Sequence, residues 1–437
     1  MDKKTILEKL INSKTYKDIM ILLAKDSSAN LDNLIRLSNI NEDWQIREAV
    51  AGNPKTPASI LEKLANDEDF FVRAYTATNP NISKDIFEKL SNDEIDEVRV
   101  GVAKNPKIPA DILEKLADDE NNWVRTWIAN NPSTPVHLLE KLSQDEDKWV
   151  RRSVIENPKI PVQLLDKLSQ DKSSWVRFFV AVNPKTSLNI LTKLSQDENK
   201  DVRAGVAQNL NTPISILIQL SNDENEWVRE NVAGNSNTSV DIIEKLADDI
   251  DEEVRIEATQ NPNISIEKLK TLSNDENKEI RQAVANNHNT PSKILIRLAD
   301  DENKMVRVSV AFNKNIPQNI LNKLANDKEW EVRYGVVYNP NVSEEILIKL
   351  SNDKYDEVRQ SVAKNEKTPV NILEKLAKDK NEVVRANVAY NKNTPMETLI
   401  SLADDESKIV TRAVARNINI IKAVTSQEPK KSVNPSM

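Results

Sequence analysis

At 437 residues the chain is long for one globular core but suits a stacked array, whose length surface-to-volume scaling does not limit. Charged residues are 30% of the chain, mixed in sign, and sum to −8, which argues against a dedicated nucleic-acid binder with its basic footprint. Cysteine is absent, so disulfides, thiol nucleophiles and cysteine metal sites are excluded, and no apolar run approaches the ~18 residues of a membrane span.

Residues 1–27 carry leucines and isoleucines at helical spacing and are expected to form an N-terminal helical cap. The start, Met1 to Leu10, is amphipathic and lacks the apolar core of a signal peptide, so a cytoplasmic protein is expected. From residue 28 a fixed register takes over. Arg47, Arg73, Arg99, Arg125 and so on to Arg385 stand 26 apart (73 − 47 = 26, and every later step is the same), with no insertion. A period of this size means a repeat array.

Residues 54–79 serve as the type copy. Thr56-Pro57 opens a helix, with proline expected at the first helical position, where its missing N–H is not needed. Ile60, Leu61 and Leu64 then form an apolar stripe at i, i+1 and i+4. After Asn66-Asp67, a second stripe runs through Val72, Thr76 and Ala77, and Asn79-Pro80 ends it, because a residue before proline is pushed out of the α region. One such pair of short helices cannot cover its own apolar face, so neighbouring copies must stack. The position of Thr56 also holds Ile82, Ile108 and Val342, which favours a buried β-branched shape over a required hydroxyl.

Two polar positions recur with the arginine. Asp67, Asp93, Asp119 and onward are expected to N-cap the second helix, with each arginine reaching an aspartate of its own or the adjacent copy. Asn53, Asn79, Asn105 and onward are expected to hydrogen-bond the backbone of the loop or the next repeat. Catalysis needs one site, so charged groups repeated in every copy read as structure.

The positions that vary carry the functional information. Two residues before the arginine stand Phe71, Glu97, Trp123, Trp149, Trp175, Asp201 and Trp227; a site that accepts carboxylates so freely is not core, so the rings should be at least half exposed. Two residues after it stand Tyr75, Trp127 and Phe179, one turn along the same helix face, with Arg152 and Phe178 beside them. Trp123, Trp149 and Trp175 are expected to form an aromatic row across three copies, the composition of a binding hot spot. A weaker ridge, Phe312, Tyr338 and Tyr390, lies five residues after the arginine. His137 reads as a surface residue and His288 as a turn residue, and no phosphate loop, nucleophile elbow or metal-ligand spacing appears.

The last copy decays, with Thr411 at the arginine position. Residues 421–437 are expected to be a cap remnant and a disordered tail.

The unit Asn-Pro-x-Thr-Pro-x-x-Ile-Leu-x-x-Leu-Ala-x-Asp-x-x-x-x-Val-Arg-x-x-Val-Ala resembles the leucine-rich repeat variant family, whose Asp…Val-Arg pattern is similar to HEAT repeats. The resemblance covers about residues 28–420. It implies an all-α, right-handed α-solenoid of about 14–15 two-helix repeats, in which one helix per repeat can be 3₁₀. It implies no common reaction, and HEAT-like arrays mostly bind proteins. The sequence is therefore read as a non-enzymatic monomeric scaffold without cofactor or metal, binding a protein or peptide through Phe71, Tyr75, Trp123, Trp127, Trp149, Arg152, Trp175, Phe178, Phe179 and Trp227. The alternatives are a HEAT-like nucleic-acid or DNA-repair protein, against which the acidic charge speaks, and a structural spacer.

Overall fold

The computed structural model describes residues 21, 24–25, 31–39 and 43–417. The expected N-terminal cap lies outside the described residues save for 21, 24 and 25, and the expected tail lies outside them altogether. Among the described residues there are 30 helices and no strand. They fall into two compact units, one ending at Thr238 and the other beginning at Ser239, where the 26-residue register runs on without a break. In each unit a helix of seven residues (eight in the first, Leu31–Ser38) alternates with one of eight or nine, and successive pairs stack as an α-solenoid. No described helix is long and apolar enough to cross a membrane.

The short helix is set by its first turn and its apolar stripe. Helix Ala58–Leu64 buries Ile60, Leu61 and Leu64. Pro57 is its N-cap, one residue earlier than expected: its extended backbone presents a carbonyl that accepts from the N–H of Ile60 (3.0 Å) and Leu61 (3.1 Å). At Ser83, one of the places where serine replaces proline, the hydroxyl accepts from the Ile86 N–H. At the other end Ala65 donates to the Leu61 carbonyl at 2.8 Å, a four-residue step. Both helices of every described repeat are α, so the 3₁₀ helix that the resemblance allows is not present among them.

The long helix Phe70–Thr78 buries Val72, Thr76 and Ala77. Its N-cap is Asp69, which accepts from the Phe71 N–H at 2.8 Å, and not the recurring Asp67. Asp67 sits two residues too early to reach the helix; it accepts from the Asp69 N–H (3.0 Å) and so shapes the turn that delivers the cap. Its second duty is to the preceding copy, where Arg47 donates from Nε (2.7 Å) and a terminal nitrogen (2.9 Å) in a bidentate pair. Asn79 then ends the helix with φ −72 and ψ 131, the extended geometry that a following proline demands.

Two side-chain devices clamp one copy to the next. Arg151 shows the first: Nε and one terminal nitrogen donate to both oxygens of Asp171 (2.7 and 2.9 Å), while the other donates to the carbonyls of Asp145 (2.8 Å) and Glu146 (3.0 Å). The two side chains are only 5% and 8% exposed. This fork joins the turn before its own helix to the turn of the following copy, a geometry lysine could not reproduce. Asn157 shows the second. Its Nδ2 donates to the carbonyls of Ala129 (2.7 Å) and Asn131 (2.9 Å), and its Oδ1 accepts from the Lys159 N–H (2.8 Å). The Oδ1 bond is the loop contact expected from the sequence, whereas Nδ2 reaches the preceding repeat and not the next one. Buried Thr134 turns its hydroxyl to the Ile128 carbonyl at 2.6 Å, so the position tolerates isoleucine because the hydroxyl serves only its own copy.

Burial works against the aspartates and their partners win. Desolvation pushes the Asp93 carboxyl up, but the Arg73 hydrogen bond and charge and the Ile95 N–H together hold it below the usual carboxylate range. Asp405, where the Arg385 hydrogen bond is the largest influence, is likewise lowered. Helix-to-helix approach is close enough that a Cβ on Gly101 would lie 2.5 Å from the Ala74 carbonyl oxygen of the preceding copy.

Candidate partner-binding face

In two helices of the row the N-cap side chain also holds the backbone of the aromatic residue. Trp123 is the second residue of helix Asn122–Asn130 and Trp149 that of Lys148–Glu156; their N–H groups are held by the Oδ1 atoms of Asn121 and Asp147, both at 2.7 Å. Asn122 donates to Asp147 Oδ2 at 2.6 Å, locking one cap to the next beneath the rings. Desolvation pushes the Asp147 carboxyl up; the bonds from Asn122, Trp149 and Val150 more than offset it.

The expected row is present. Ring centroids of Trp123 and Trp149 lie 6.4 Å apart, and those of Trp149 and Trp175 lie 4.4 Å apart, edge to face. Trp175 meets Phe179 at 4.8 Å, and Phe179 meets Phe178 at 5.4 Å. Trp123 is 55% and Trp149 40% exposed, while Trp175, Phe178 and Phe179 are half-buried. The same side chains thus both face solvent and pack between copies.

Cations cover the row on one side. The Arg152 guanidinium lies 4.5 Å from the Phe179 centroid and 5.7 Å from that of Trp175, and it pairs with Glu156 one turn along. Its buried Nε has no acceptor among the described residues. Lys148 Nζ stands 5.5 Å from the Trp175 centroid. Half-buried Trp127 is capped by Lys104 Nζ at 4.3 Å.

The remaining predicted residues divide. Phe71 is exposed and stacks on Trp44 at 5.1 Å, a partner that the irregular first copy concealed in the sequence. Tyr75 is exposed but leans on the preceding copy, where a Cβ on Gly52 would lie 3.3 Å from its ring; the Glu48 charge, with desolvation and a hydrogen bond from the same pair, holds its phenol above the usual value. Phe178 fills the space over Gly205 in the following copy, where a Cβ would lie 3.0 Å from the ring. Exposed Trp227 stands two copies beyond Trp175, with Asp201 at the same register between them. Of the three ring pairs expected one turn apart, Trp175–Phe179 is in ring contact.

The unit from Ser239 holds a second aromatic cluster, of which the sequence marked only part. Phe312 stacks on Tyr338 at 6.3 Å, Tyr338 meets Tyr334 at 4.8 Å, and Trp330 touches both Tyr334 and Tyr355 at 6.2 Å. Desolvation, with Tyr334 beside it, pushes the Tyr338 phenol up to about 12. Four-residue spacing of Trp330, Tyr334 and Tyr338 was the available signal. Tyr390 is exposed on helix Glu382–Tyr390.

Among the described residues no three histidine, cysteine, aspartate or glutamate side chains are placed to hold a metal ion. His137 is exposed with Nε2 2.6 Å from Glu114 Oε1 of the preceding copy, and His288 is exposed in its turn.

Stacked helix pairs, one per 26 residues and clamped by recurrent arginine and asparagine side chains, define an all-helical repeat protein. The model of the family "Leucine rich repeat variant" matches residues 44–69, one full period of the register. A search of curated proteins gives no match. Among solved structures, the chain is similar to a leucine-rich repeat variant described as having a novel repetitive structural motif (24% identity, 50% of this chain and 87% of that one, TM-score 0.37). It is similar also to yeast importin-beta (11% identity, 95% of this chain and 63% of that one, TM-score 0.30) and to importin beta in an ammonium sulfate condition (12% identity, 96% and 60%, TM-score 0.28). The chain thus spans about three-fifths of the importin-beta chains.

Proposed function

We propose that the protein is a non-catalytic cytoplasmic scaffold that captures a protein or peptide partner on the aromatic face of its N-terminal half. The observation that carries this reading is the ring-to-ring row Trp123–Trp149–Trp175, whose first two rings stay 55% and 40% exposed. Covering the exposed half of one tryptophan removes ~100 Å² of apolar surface, on the order of 2.5 kcal/mol before ordering costs. The row is held in place before any partner arrives, because each ring rests on its neighbours and Arg152 lies over Trp175, so little side-chain freedom is lost on binding. Phe71, Tyr75, Trp127, Phe179 and Trp227 extend the face, while Phe178 supports it from beneath.

A displayed library of random peptides, selected on the full chain, tests this. Peptides retained by the wild type should lose at least ~10-fold in affinity for Trp149→Ala and for Trp175→Ala. Undiminished binding to both variants would remove the row from the site.

A further inference from the structure

A second surface lies on the short helices of the unit that ends at Thr238. The first residue of four consecutive short helices is aliphatic: Val136, Val162, Leu188 and Ile214. With Leu210 and Ile218 beside the last of them, these side chains are between 41% and 60% exposed. Earlier in the same unit the position holds Ala58, Lys84 and Ala110. The four copies also lose the charge beside the stripe. The next residue along is His137, Gln163, Asn189 or Ser215, where Asp85 and Asp111 stand earlier. Ile218 and Gln219 occupy the positions of Glu140 and Lys141. The short helices are adjacent, as the pairs His137–Glu114 and Lys193–Asp166 show, so the stripe advances by roughly the 8–10 Å of packed helices per copy.

Isolated surface aliphatics need no explanation, but a run at one register with local loss of charge has the composition of an interface centre. We infer that this stripe is the contact between two copies of the chain, related by a two-fold axis, in place of the monomer expected from the sequence. Two features on the page select a second copy. The six side chains expose about 500 Å² of apolar surface, the apolar content of one side of a standard interface of about 800 Å² per partner. The stripe is also self-complementary in size. With the axis between Val162 and Leu188, an antiparallel copy sets Val162 against Leu188 and Val136 against Ile214, short side chain against long. A two-fold pairing of this kind closes and leaves the aromatic face of the long helices uncovered; the register stays aliphatic and exposed at Val240 and Ile266, but Asp241 and Glu267 beside them restore the charge.

Sedimentation equilibrium of the full chain tests this, with scanning calorimetry to confirm folding. The wild type should weigh as a dimer at micromolar concentration. Leu188→Glu and Ile214→Glu, both at exposed positions, should raise the dimer dissociation constant at least ~100-fold while each variant keeps a cooperative calorimetric unfolding transition. Because the chain contains no cysteine, Val162→Cys and Leu188→Cys can each be the single thiol in its chain; a mixture of the two should cross-link between chains through a short bis-maleimide. Trp149→Ala should leave the dimer intact, which separates this inference from the peptide-capture reading. A wild type that stays monomeric at hundreds of micromolar, a dimer indifferent to both glutamates, or a dimer lost in Trp149→Ala would each overturn it.

Discussion

The copies around Trp149 and those around Glu331 share one scaffold and differ in what they show to solvent. In both, the arginine forks onto the aspartate of the following copy: Arg151 to Asp171 at 2.7 and 2.9 Å, Arg307 to Asp327 at 2.7 and 3.0 Å. In both, the asparagine donates to two carbonyls of the preceding copy. At the second helical position, however, the first region carries tryptophans in ring contact, whereas in the second Lys304 reaches Glu331 at 2.5 Å across the same boundary between copies. Rings in the second region move to other faces of the helix, at Trp330, Tyr334 and Tyr338. One backbone frame thus carries two chemically distinct surfaces, and the surfaces can be changed without changing the frame.

The comparison breaks first at the clamps. Arg151→Ala and Arg307→Ala each leave a buried carboxylate without its partner, so each should cost about 3–5 kcal/mol, and equally in the two regions. Urea unfolding followed by circular dichroism checks this; a cost confined to one region would show that the frames differ. Asn157→Ala and Asn313→Ala strip two buried carbonyls of their donors and should each cost about 1–3 kcal/mol. Gly101→Ala drives a methyl against the Ala74 carbonyl and should cost roughly 1–3 kcal/mol, read as a lowered melting temperature.

Acid sharpens the same point. Asp197 and Asp223 in the first unit, and Asp327 and Asp353 in the second, have carboxyl pKa values lowered in the fold: desolvation opposes ionisation, but the arginine and the turn N–H groups outweigh it. A depressed folded value means their contribution is complete above the unfolded pKa of ~3.9 and is lost as pH falls through the folded values. The urea midpoint should therefore be flat from neutrality to about pH 5 and fall below about pH 4, in both units together. The smallest effect belongs to the exposed pair: Lys304→Ala should leave the urea midpoint unchanged.

How far the sequence could be read follows from how local each device is. The 26-residue period, the two apolar stripes and the aromatic row rest on spacing within one chain segment, and each was legible. The capping role assigned to Asp67 belongs to Asp69, because a turn aspartate and an N-cap aspartate two residues apart use the same chemistry and differ only in backbone geometry. The direction of the asparagine bonds, back to the preceding copy, depends on how copies are offset when stacked, which no single repeat records. Phe178 was grouped with the exposed rings, since nothing near it in sequence reveals that Gly205, 27 residues on, leaves a space for it. The aliphatic stripe on the short helices was hidden for a related reason: valine or leucine at a helix start reads as core until its exposure is known.

The most direct test of the division between frame and surface is to unfold the double variant Trp149→Ala/Trp175→Ala in urea and to measure its affinity for a peptide selected on the wild type. Rings that serve a partner contribute to the fold only through their mutual contacts, so the account predicts a stability loss below about 2 kcal/mol together with loss of peptide binding. A loss of more than about 4 kcal/mol, as for buried tryptophan, with peptide affinity retained, would contradict it.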